Sequence, residues 1–396
     1  MLIKKEVCII VGGVMGLSSA YYLGRAGKST VVFERSGIGD GASAACDDMI
    51  MMQSKQLDSN LTLALDGLEM FRSLGGELEQ DVGYRPCGGM VLIDNARQLS
   101  AMEAFVAKQR SYGLDVRIVE KKELHKLQPH VADWVVASTY CESDAHIDPL
   151  LLLRGFTKNA RRLGSEIIRP ADVTGIERAG DHWRVTTRQG DVAECDAVLL
   201  ATGAWTASLG TLLGVDLPVR PRKGHILITE SIPPVSPTHL WSAAYIASKL
   251  GVDLIGERDA FEQEIGHGFV FSRTAEGNHL IGGTRENAGF DKTTHTRVIE
   301  TILRHAIRYL PILGQVHIIR TIAGFRPATP DGRALVDPVS RLPGIFVLAG
   351  HEGDGISLCP LMGRAVADMI CGRNVDKRFA EFAPERFAAP ESTTAR

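Results

Sequence analysis

The hydrophobic pattern at the N-terminus changes from a continuous apolar run to a helical spacing and back to an apolar run. Glu6–Val11 and Ser29–Glu34 have the pattern of buried strands, and Leu17–Gly27 has apolar residues at helical spacing. The glycine-rich segment Gly12–Gly16 joins the first strand to the helix. This succession predicts a βαβ unit whose two strands are parallel neighbours in one sheet.

The same pattern analysis predicts further elements along the chain. Helices are expected at 59–74, 149–163 and 358–371. Strands are expected at 90–93, 166–168, 171–176, 183–187, 197–201, 222–230 and 345–348, with a hairpin at 268–283 that turns around Glu276, Gly277 and Asn278. The tail after Pro384 is expected to be loose.

The order of these elements predicts an α/β protein with a second domain of the α+β type. We expect a Rossmann-like dinucleotide-binding domain assembled from three discontinuous segments, 1–84, 146–218 and 322–396. Segments 85–145 and 219–321 are expected to form a sheet-rich substrate domain.

The first βα turn carries the pattern of a dinucleotide-binding fingerprint. Small residues there let the backbone approach a pyrophosphate at the helix N-terminus; the candidates are Gly12, Gly13, Val14, Met15 and Gly16. Glu34 ends the second strand and can accept hydrogen bonds from ribose hydroxyls. Val11 stands at the first glycine position of the fingerprint, and its branched side chain is expected to crowd the turn. An ordinary tight turn is the alternative interpretation.

Composition narrows the class of ligand. The chain has 396 residues, 23% of them charged, with a formal net charge of −3, so it offers no strong basic field for nucleic acid. No segment reaches the ~20 apolar residues of a membrane span. The seven cysteines lack metal-ligand spacing, and we expect no metal site, a reducing compartment and a cytoplasmic protein that acts on a small molecule.

Six segments together resemble the D-amino-acid oxidase superfamily of FAD-dependent enzymes. They are IIVGGVMG (9–16), VVFERSG (31–37), GASAACD (41–47), LLATGAW (199–205), GFRPATPDG (324–332) and AGHEGDGISLCP (349–360). Within the superfamily the chain resembles glycine oxidase and the β-type flavin subunits of heteromeric sarcosine oxidase, opine dehydrogenase and proline or hydroxyproline dehydrogenase. The resemblance implies non-covalent FAD as the cofactor.

The resemblance also implies which residues contact FAD. Beside the fingerprint and Glu34, they are Arg35, Ala42, Ser43, Ala44, Val173, Thr202, Gly203, Trp205, Arg326, Gly350, His351, Glu352, Gly353, Asp354, Gly355 and Ile356. The backbone N–H groups of the glycine run before the last helix can face the pyrimidine end of the isoalloxazine. Other interpretations stay open: Val173 can be plain core, Thr202–Gly203 a strand-ending turn, and His351, Glu352 and Asp354 loop-setting or solvated residues.

Arg326 is the candidate substrate anchor that the resemblance supplies. A guanidinium is permanently charged and can hold a carboxylate through two hydrogen bonds while the substrate carbon faces the flavin. A structural salt bridge is the alternative for Arg326. His225 belongs to a polar cluster with Arg220, Arg222 and Lys223, for which a solvated or hinge role competes with a position facing the flavin.

The reaction expected from these features is hydride transfer from a small amino acid, imino acid or opine-type secondary amine to FAD. The GHEGDGI string (350–356) favours a flavin subunit of a multi-subunit dehydrogenase, with FMN or an iron–sulfur cluster at or on a partner subunit. Alternative functions are a 2-hydroxy acid dehydrogenase, a stand-alone amine oxidase that produces hydrogen peroxide, and a flavin-free structural subunit.

Overall fold

The computed structural model describes residues 1–250 and 259–387. Its helices, in chain order, are α1 (Val14–Arg25), α2 (Ser59–Glu77), α3 (Ala96–Ser111), α4 (Lys121–Leu127), α5 (Pro149–Arg162), α6 (Thr206–Leu212), α7 (Ala243–Leu250), α8 (Ala260–Glu264), α9 (Thr296–Tyr309) and α10 (Gly355–Ile370). Short 3-10 helices occupy residues 42–44, 203–205, 311–315, 377–382 and 384–387.

The strands are interspersed with these helices along the chain, with the longest uninterrupted run of strands between α5 and α6. They are β1 (Leu2–Lys4), β2 (Val7–Ile10), β3 (Thr30–Phe33), β4 (Met49–Ile50), β5 (Arg85–Pro86), β6 (Gly89–Ile93), β7 (Arg117–Glu120), β8 (Ala137–Tyr140), β9 (Ala145–His146), β10 (Glu166–Ile168), β11 (Val173–Ala179), β12 (His182–Thr187), β13 (Val192–Cys195), β14 (Ala197–Leu200), β15 (Arg220–Thr229), β16 (His239–Ser242), β17 (Val270–Arg273), β18 (His279–Gly282), β19 (Ile318–Ala328), β20 (Leu335–Pro338) and β21 (Ile345–Ala349).

A six-stranded sheet with the order β10-β3-β2-β14-β21-β20 forms the centre of the first layer. Its first five strands are parallel, and β20 runs antiparallel at the edge. The inner strands are fully buried because α1, α2, α5 and α10 cover one face while the four-stranded sheet β1-β13-β12-β11 covers the other. The carboxyl ends of β2, β14 and β21 therefore lie side by side, where a doubly wound sheet places its ligand.

An eight-stranded sheet with the order β19-β15-β18-β17-β16-β6-β8-β7 forms the second layer. Its apolar core includes Phe269, Phe271 and residues of α9. The strands of the six-stranded sheet come from the three segments predicted for the dinucleotide domain. The predicted boundary at residue 322 falls inside β19, which pairs with β15 along its whole length. We therefore propose that the substrate domain includes all of β19.

The N-terminal starts of two helices differ from the sequence expectation, and α2 also ends three residues later than predicted, at Glu77. The structure starts α1 at Val14 and α10 at Gly355, three residues before each predicted start. Gly13 and Asp354 take the N-cap positions, so the glycine-rich residues that follow them form the first helical turn instead of a loop. At the C-terminus, Pro384–Phe387 forms a 3-10 turn, and the rest of the tail predicted to be loose lies outside the described residues.

Within the described ranges, no helix combines the length and apolarity needed to cross a membrane.

Candidate functional site

A cleft lies where the carboxyl ends of the parallel strands meet β15 and β19 of the second sheet. It encloses about 1130 Å³ of space not filled by atoms, with the open solvent at its mouth included. Its walls contain most of the residues predicted from the sequence: Gly13, Val14, Met15, Glu34, Ala42, Ser43, Thr202, Gly203, Trp205, Arg326, His351, Glu352, Gly353, Gly355 and Ile356. Val11 lies in the wall as well, so segments from both ends of the chain form one site.

The first βα turn packs closely around two of its glycines, Gly12 and Gly16. A Cβ at Gly16 would lie 2.1 Å from the carbonyl oxygen of Val11, and one at Gly12 would lie 2.8 Å from Ile38 Cδ1. The N-cap residue Gly13 contributes no side-chain cap, and no acidic residue occupies the first turn of α1. The helix therefore offers backbone donors and a favourable dipole to an anion. This cradle fits a dinucleotide pyrophosphate.

Val11 adopts a backbone conformation that is rare for a branched residue. Its φ is 83°, in the left-handed region that glycine adopts without steric cost. Its N–H still donates to the carbonyl of Phe33 at 2.8 Å, so the strand-to-helix turn is retained. The branched side chain of Val11, expected from the sequence to crowd the turn, is therefore accommodated by a strained backbone conformation where the turn begins.

Glu34 is fixed by the turn that it faces. Its Oε2 accepts from the N–H of Gly12 at 2.8 Å, and its Oε1 accepts from the N–H of Ser36 at 2.8 Å. Oε1 also accepts from the Ser36 hydroxyl at 3.2 Å, so the lone pair that remains for a ribose hydroxyl is on Oε2. The ribose-binding role of Glu34 stays a prediction.

Two neighbouring segments complete the dinucleotide end of the cleft. Ser43, in the 3-10 turn at 42–44, accepts from the N–H of Val14 through its hydroxyl at 3.0 Å. Trp205 lies in the 3-10 turn after β14 and stacks on Phe290 at 5.1 Å. The guanidinium carbon of Arg35 lies 4.0 Å from the centre of the Trp205 indole. Arg35 therefore reaches the mouth of the cleft by stacking on its wall.

Some predicted contacts lie outside the cleft wall. Ala44 is exposed, and Val173 begins β11, where it pairs with Thr187 and packs, half-buried, against the apolar cluster between the two sheets. Gly350 has a φ of 80°, and a Cβ there would lie 2.6 Å from Thr329 Cγ2, so it is a turn residue without room for a side chain. Cofactor contact at these three residues stays a prediction.

The loop 350–354 turns back on itself before α10. The Glu352 φ of 48° places its backbone in the left-handed region, and its N–H donates to the carbonyl of Pro327 at 2.8 Å. Burial lowers the pKa of His351 to about 4, so its imidazole is neutral at pH 7. Asp354 Oδ1 accepts from Lys55 Nζ at 2.5 Å and from Lys249 Nζ at 2.7 Å. Asp354 thus ties α10 to α7 instead of lining the cleft.

Arg326 projects across β15 from the neighbouring strand. Its Nη1 donates to the carbonyl of Thr284 at 2.8 Å. A Cβ at Gly224 would lie 2.2 Å from that Nη1 atom, so glycine at this position leaves the space that the guanidinium occupies. Within residues 1–250 and 259–387, no carboxylate forms an ion pair with Arg326, and its charge is available to a ligand.

His225 faces away from Arg326. Its Nδ1 lies 2.9 Å from Thr284 Oγ1 and 2.9 Å from Glu286 Oε1, and the residue is fully buried. Successive residues of a strand alternate between faces, so His225 lies behind the cleft wall formed by Gly224 and Ile226. The hypothesis that His225 faces the flavin has no support from this position.

Two further polar groups at the substrate side, Tyr245 and Arg285, were not predicted from the sequence. Tyr245 of α7 lines the cleft, and Arg285 Nη2 donates to its hydroxyl oxygen at 3.1 Å. Arg285 Nε also pairs with Glu352 Oε1 at 3.2 Å. Burial alone would raise the pKa of the Glu352 carboxyl, but the guanidiniums of Arg285 and Arg326 outweigh it and hold the pKa well below its usual value. Glu352 is therefore an anion that stabilises a second buried guanidinium.

The described residues contain no cluster of His, Cys, Asp or Glu side chains suited to hold a metal ion.

Comparison with known proteins agrees with this geometry. The sequence matches the family described as "DAO: FAD dependent oxidoreductase" over residues 6–369. It is 27% identical to glycine oxidase of Bacillus licheniformis, covering 97% of this chain and 98% of that protein. It is 26% identical to hydrogen cyanide synthase subunit HcnC of Pseudomonas aeruginosa, covering 96% of each. The crystal structure of glycine oxidase from Geobacillus kaustophilus superposes with a TM-score of 0.87 at 24% identity, covering 98% of this chain and 100% of that one.

Proposed function

The chain belongs to the DAO family of FAD-dependent oxidoreductases, and we propose that it oxidises the carbon–nitrogen bond of a small amine that carries a carboxylate. The substrate is an amino acid, an imino acid or an opine-type secondary amine. The observation that carries the proposal is the position of Arg326, an arginine without an ion-pair partner among the described residues, in the same cleft as the dinucleotide turn. The similarity to proteins named glycine oxidase supports the same substrate class.

FAD held by the first βα turn and Glu34 would supply the oxidising chemistry, as an acceptor for a hydride from the carbon next to nitrogen. The nitrogen loses a proton to water, the resulting imine adds water, and the products are a 2-oxo acid and an amine or ammonia. Arg326 orients the substrate through its carboxylate, which fixes the reacting carbon. The hydroxyl of Tyr245 accepts its hydrogen bond from Arg285, so its own proton is free to donate into the cleft.

Anaerobic reduction of the bound flavin tests this proposal. The wild-type holoenzyme should bleach with a carboxylate-bearing amine and respond weakly to the corresponding amide. Arg326→Ala should retain FAD and lose about 10- to 150-fold in the rate constant at low substrate, as expected for loss of a charge-assisted hydrogen bond. Arg326→Lys should restore part of the activity, because the charge remains while the planar fork is lost. An Ala variant that discriminates acid from amide as the wild type does would contradict the assignment.

We also propose that the chain acts as the flavin subunit of a multi-subunit dehydrogenase. The GHEGDGI string (350–356) supports this proposal through its resemblance to such subunits. A relative of similar length is named as a subunit of hydrogen cyanide synthase. A partner would carry FMN or an iron–sulfur cluster and receive the electrons. Rapid turnover of the isolated chain with oxygen, with one hydrogen peroxide per amine oxidised, would instead establish a stand-alone oxidase, the activity suggested by the relatives named glycine oxidase.

A further inference from the structure

Two arginines face each other across adjacent strands at the substrate end of the cleft. Arg222 of β15 and Arg326 of β19 are directly opposite in the antiparallel register. Residues at opposite positions project from the same face of the sheet, and like charges placed there destabilise the strand pair. Both side chains are half-buried, which reduces the screening of their charges by solvent.

Neither guanidinium has a carboxylate partner of its own in the described part of the chain. Across residues 1–250 and 259–387, no carboxylate lies within ion-pair distance of Arg222 or Arg326. Glu352 forms its ion pair with a third guanidinium, that of Arg285, while the charges of Arg326 and Arg222 also lower the pKa of its carboxyl. Three permanent cations therefore share one anion. A cluster with this excess of positive charge is complementary to a ligand with two negative charges.

The order of residues along β15 gives the direction in which such a ligand extends. Ile226 and Gly224 line the cleft, Arg222 comes next on the same face, and Arg220 at the start of the strand is exposed. Arg326 leans over Gly224, toward the interior. Arg222 consequently lies at the outer side of Arg326, between the carboxylate anchor and solvent.

We propose that the substrate is a dicarboxylate amine, with one carboxylate held by Arg326 and the second read by Arg222. This inference rests on the proposed amine oxidation and specifies its substrate class. The second carboxylate belongs either to the substituent on nitrogen, as in an iminodicarboxylate, or to the side chain of the amino acid. Monocarboxylates such as glycine leave Arg222 without a partner.

Ligand binding measured through the flavin spectrum separates this inference from the reaction itself. The FAD-loaded protein is titrated with glutarate and with butyrate, which have similar length and differ in one carboxylate. We expect the wild type to bind glutarate about 10- to 150-fold more tightly, the range for one charge-assisted pair. Arg222→Met should remove most of this preference and leave butyrate binding within about twofold. Arg220→Met, a change of the same chemistry at the exposed position on the same strand, should alter neither affinity.

Anaerobic reduction by iminodiacetate, its monoamide and N-methylglycine provides the kinetic counterpart. The wild type should prefer iminodiacetate, and Arg222→Met should lose the preference while N-methylglycine reacts at its original rate. Equal binding of glutarate and butyrate, or an equal loss of both in Arg222→Met, would overturn the inference. Selective binding of glutarate without reduction by any amine would instead defeat the proposed reaction. Ready reduction by monocarboxylic amines, with no advantage for a second carboxylate, would leave the reaction standing and remove only the dicarboxylate assignment.

Discussion

Replacing Gly224 with alanine should disable the substrate anchor without removing its charge. The new methyl group would lie 2.2 Å from Nη1 of Arg326, 2.8 Å from Cζ and 2.9 Å from Nη2. All three atoms belong to the end of a flexible side chain, so the guanidinium can move aside while the strand pairing of β15 and β19 is preserved. The expected result is a correctly folded protein with its arginine displaced.

The size of the effect follows from the geometry of the overlap. Carbon and nitrogen atoms that are not bonded pack at about 3.5 Å, so Nη1 must retreat by more than about 1 Å. That movement breaks its 2.8 Å hydrogen bond to the carbonyl of Thr284. A misplacement of about 1 Å in a positioning group can cost on the order of 100-fold in rate. We expect a loss of about 10- to 100-fold in kcat/KM for the acid substrate and little change for its amide.

A double-mutant cycle distinguishes displacement of Arg326 from obstruction of the cleft. If the methyl group acts through the guanidinium, Gly224→Ala should add nothing in an Arg326→Ala background. Gly175→Ala is a matched control, because this glycine lies in β11 and its new methyl would meet only Thr186 Cβ at 3.8 Å. FAD content and melting temperature should stay unchanged in Gly224→Ala, Arg326→Ala, the double variant and Gly175→Ala. A Gly224→Ala protein that keeps the wild-type preference for acid over amide would refute the reasoning.

Four other variants test the strained turn, a partly buried carboxyl and the lysine pair. Val11→Gly should relieve the left-handed strain of φ 83° and raise the unfolding free energy by about 1 kcal/mol, and FAD should be released more slowly. Urea unfolding measures the stability, and flavin fluorescence measures the release of FAD. An unchanged or lower stability would show that the turn has adapted to valine. Burial, aided by the charge of Asp47, raises the pKa of Asp48 to about 8 in the folded protein. The folded state therefore favours the protonated carboxyl. The contribution of this carboxyl to stability is complete below pH ~4 and is lost as pH rises through 8. Asparagine tolerates the φ of 58° at this position. Asp48→Asn should therefore raise the unfolding free energy in urea more at pH 9 than at pH 5, by a difference of more than about 1 kcal/mol. An equal effect at both pH values would contradict the raised pKa of Asp48. Asp354→Asn should lower the unfolding free energy by about 3 to 5 kcal/mol, because it leaves two buried ammonium groups without a carboxylate. Lys55→Met keeps the Lys249–Asp354 pair and should lower the melting temperature far less than Asp354→Asn does. Comparable decreases in melting temperature in the two variants would contradict this account.

The dinucleotide half of the site could be predicted from the sequence because its determinants are local. A strand, a glycine-rich turn and a helix follow one another within residues 6–27, and the backbone itself forms the cradle. Glu34 then follows from its place at the end of the next strand. The motif did not specify where α1 begins, since Gly13 acts as N-cap without any side-chain cap. Nor does a pattern of residue types reveal that Val11 keeps a glycine conformation.

The substrate half depends on the register of strands that are distant in the sequence, which local patterns do not encode. Arg222 and His225 are three residues apart in the same polar cluster, yet the sheet directs the first toward Arg326 and the second toward Glu286. One signal was available in Gly224, since a glycine inside a strand often marks close approach of another group. Here that group is the guanidinium of Arg326, which occupies the space where a side chain would lie. The glycine that weakens β15 as a strand is therefore the residue that lets an arginine from β19 cross it, and this crossing is what places a positive charge inside the cleft.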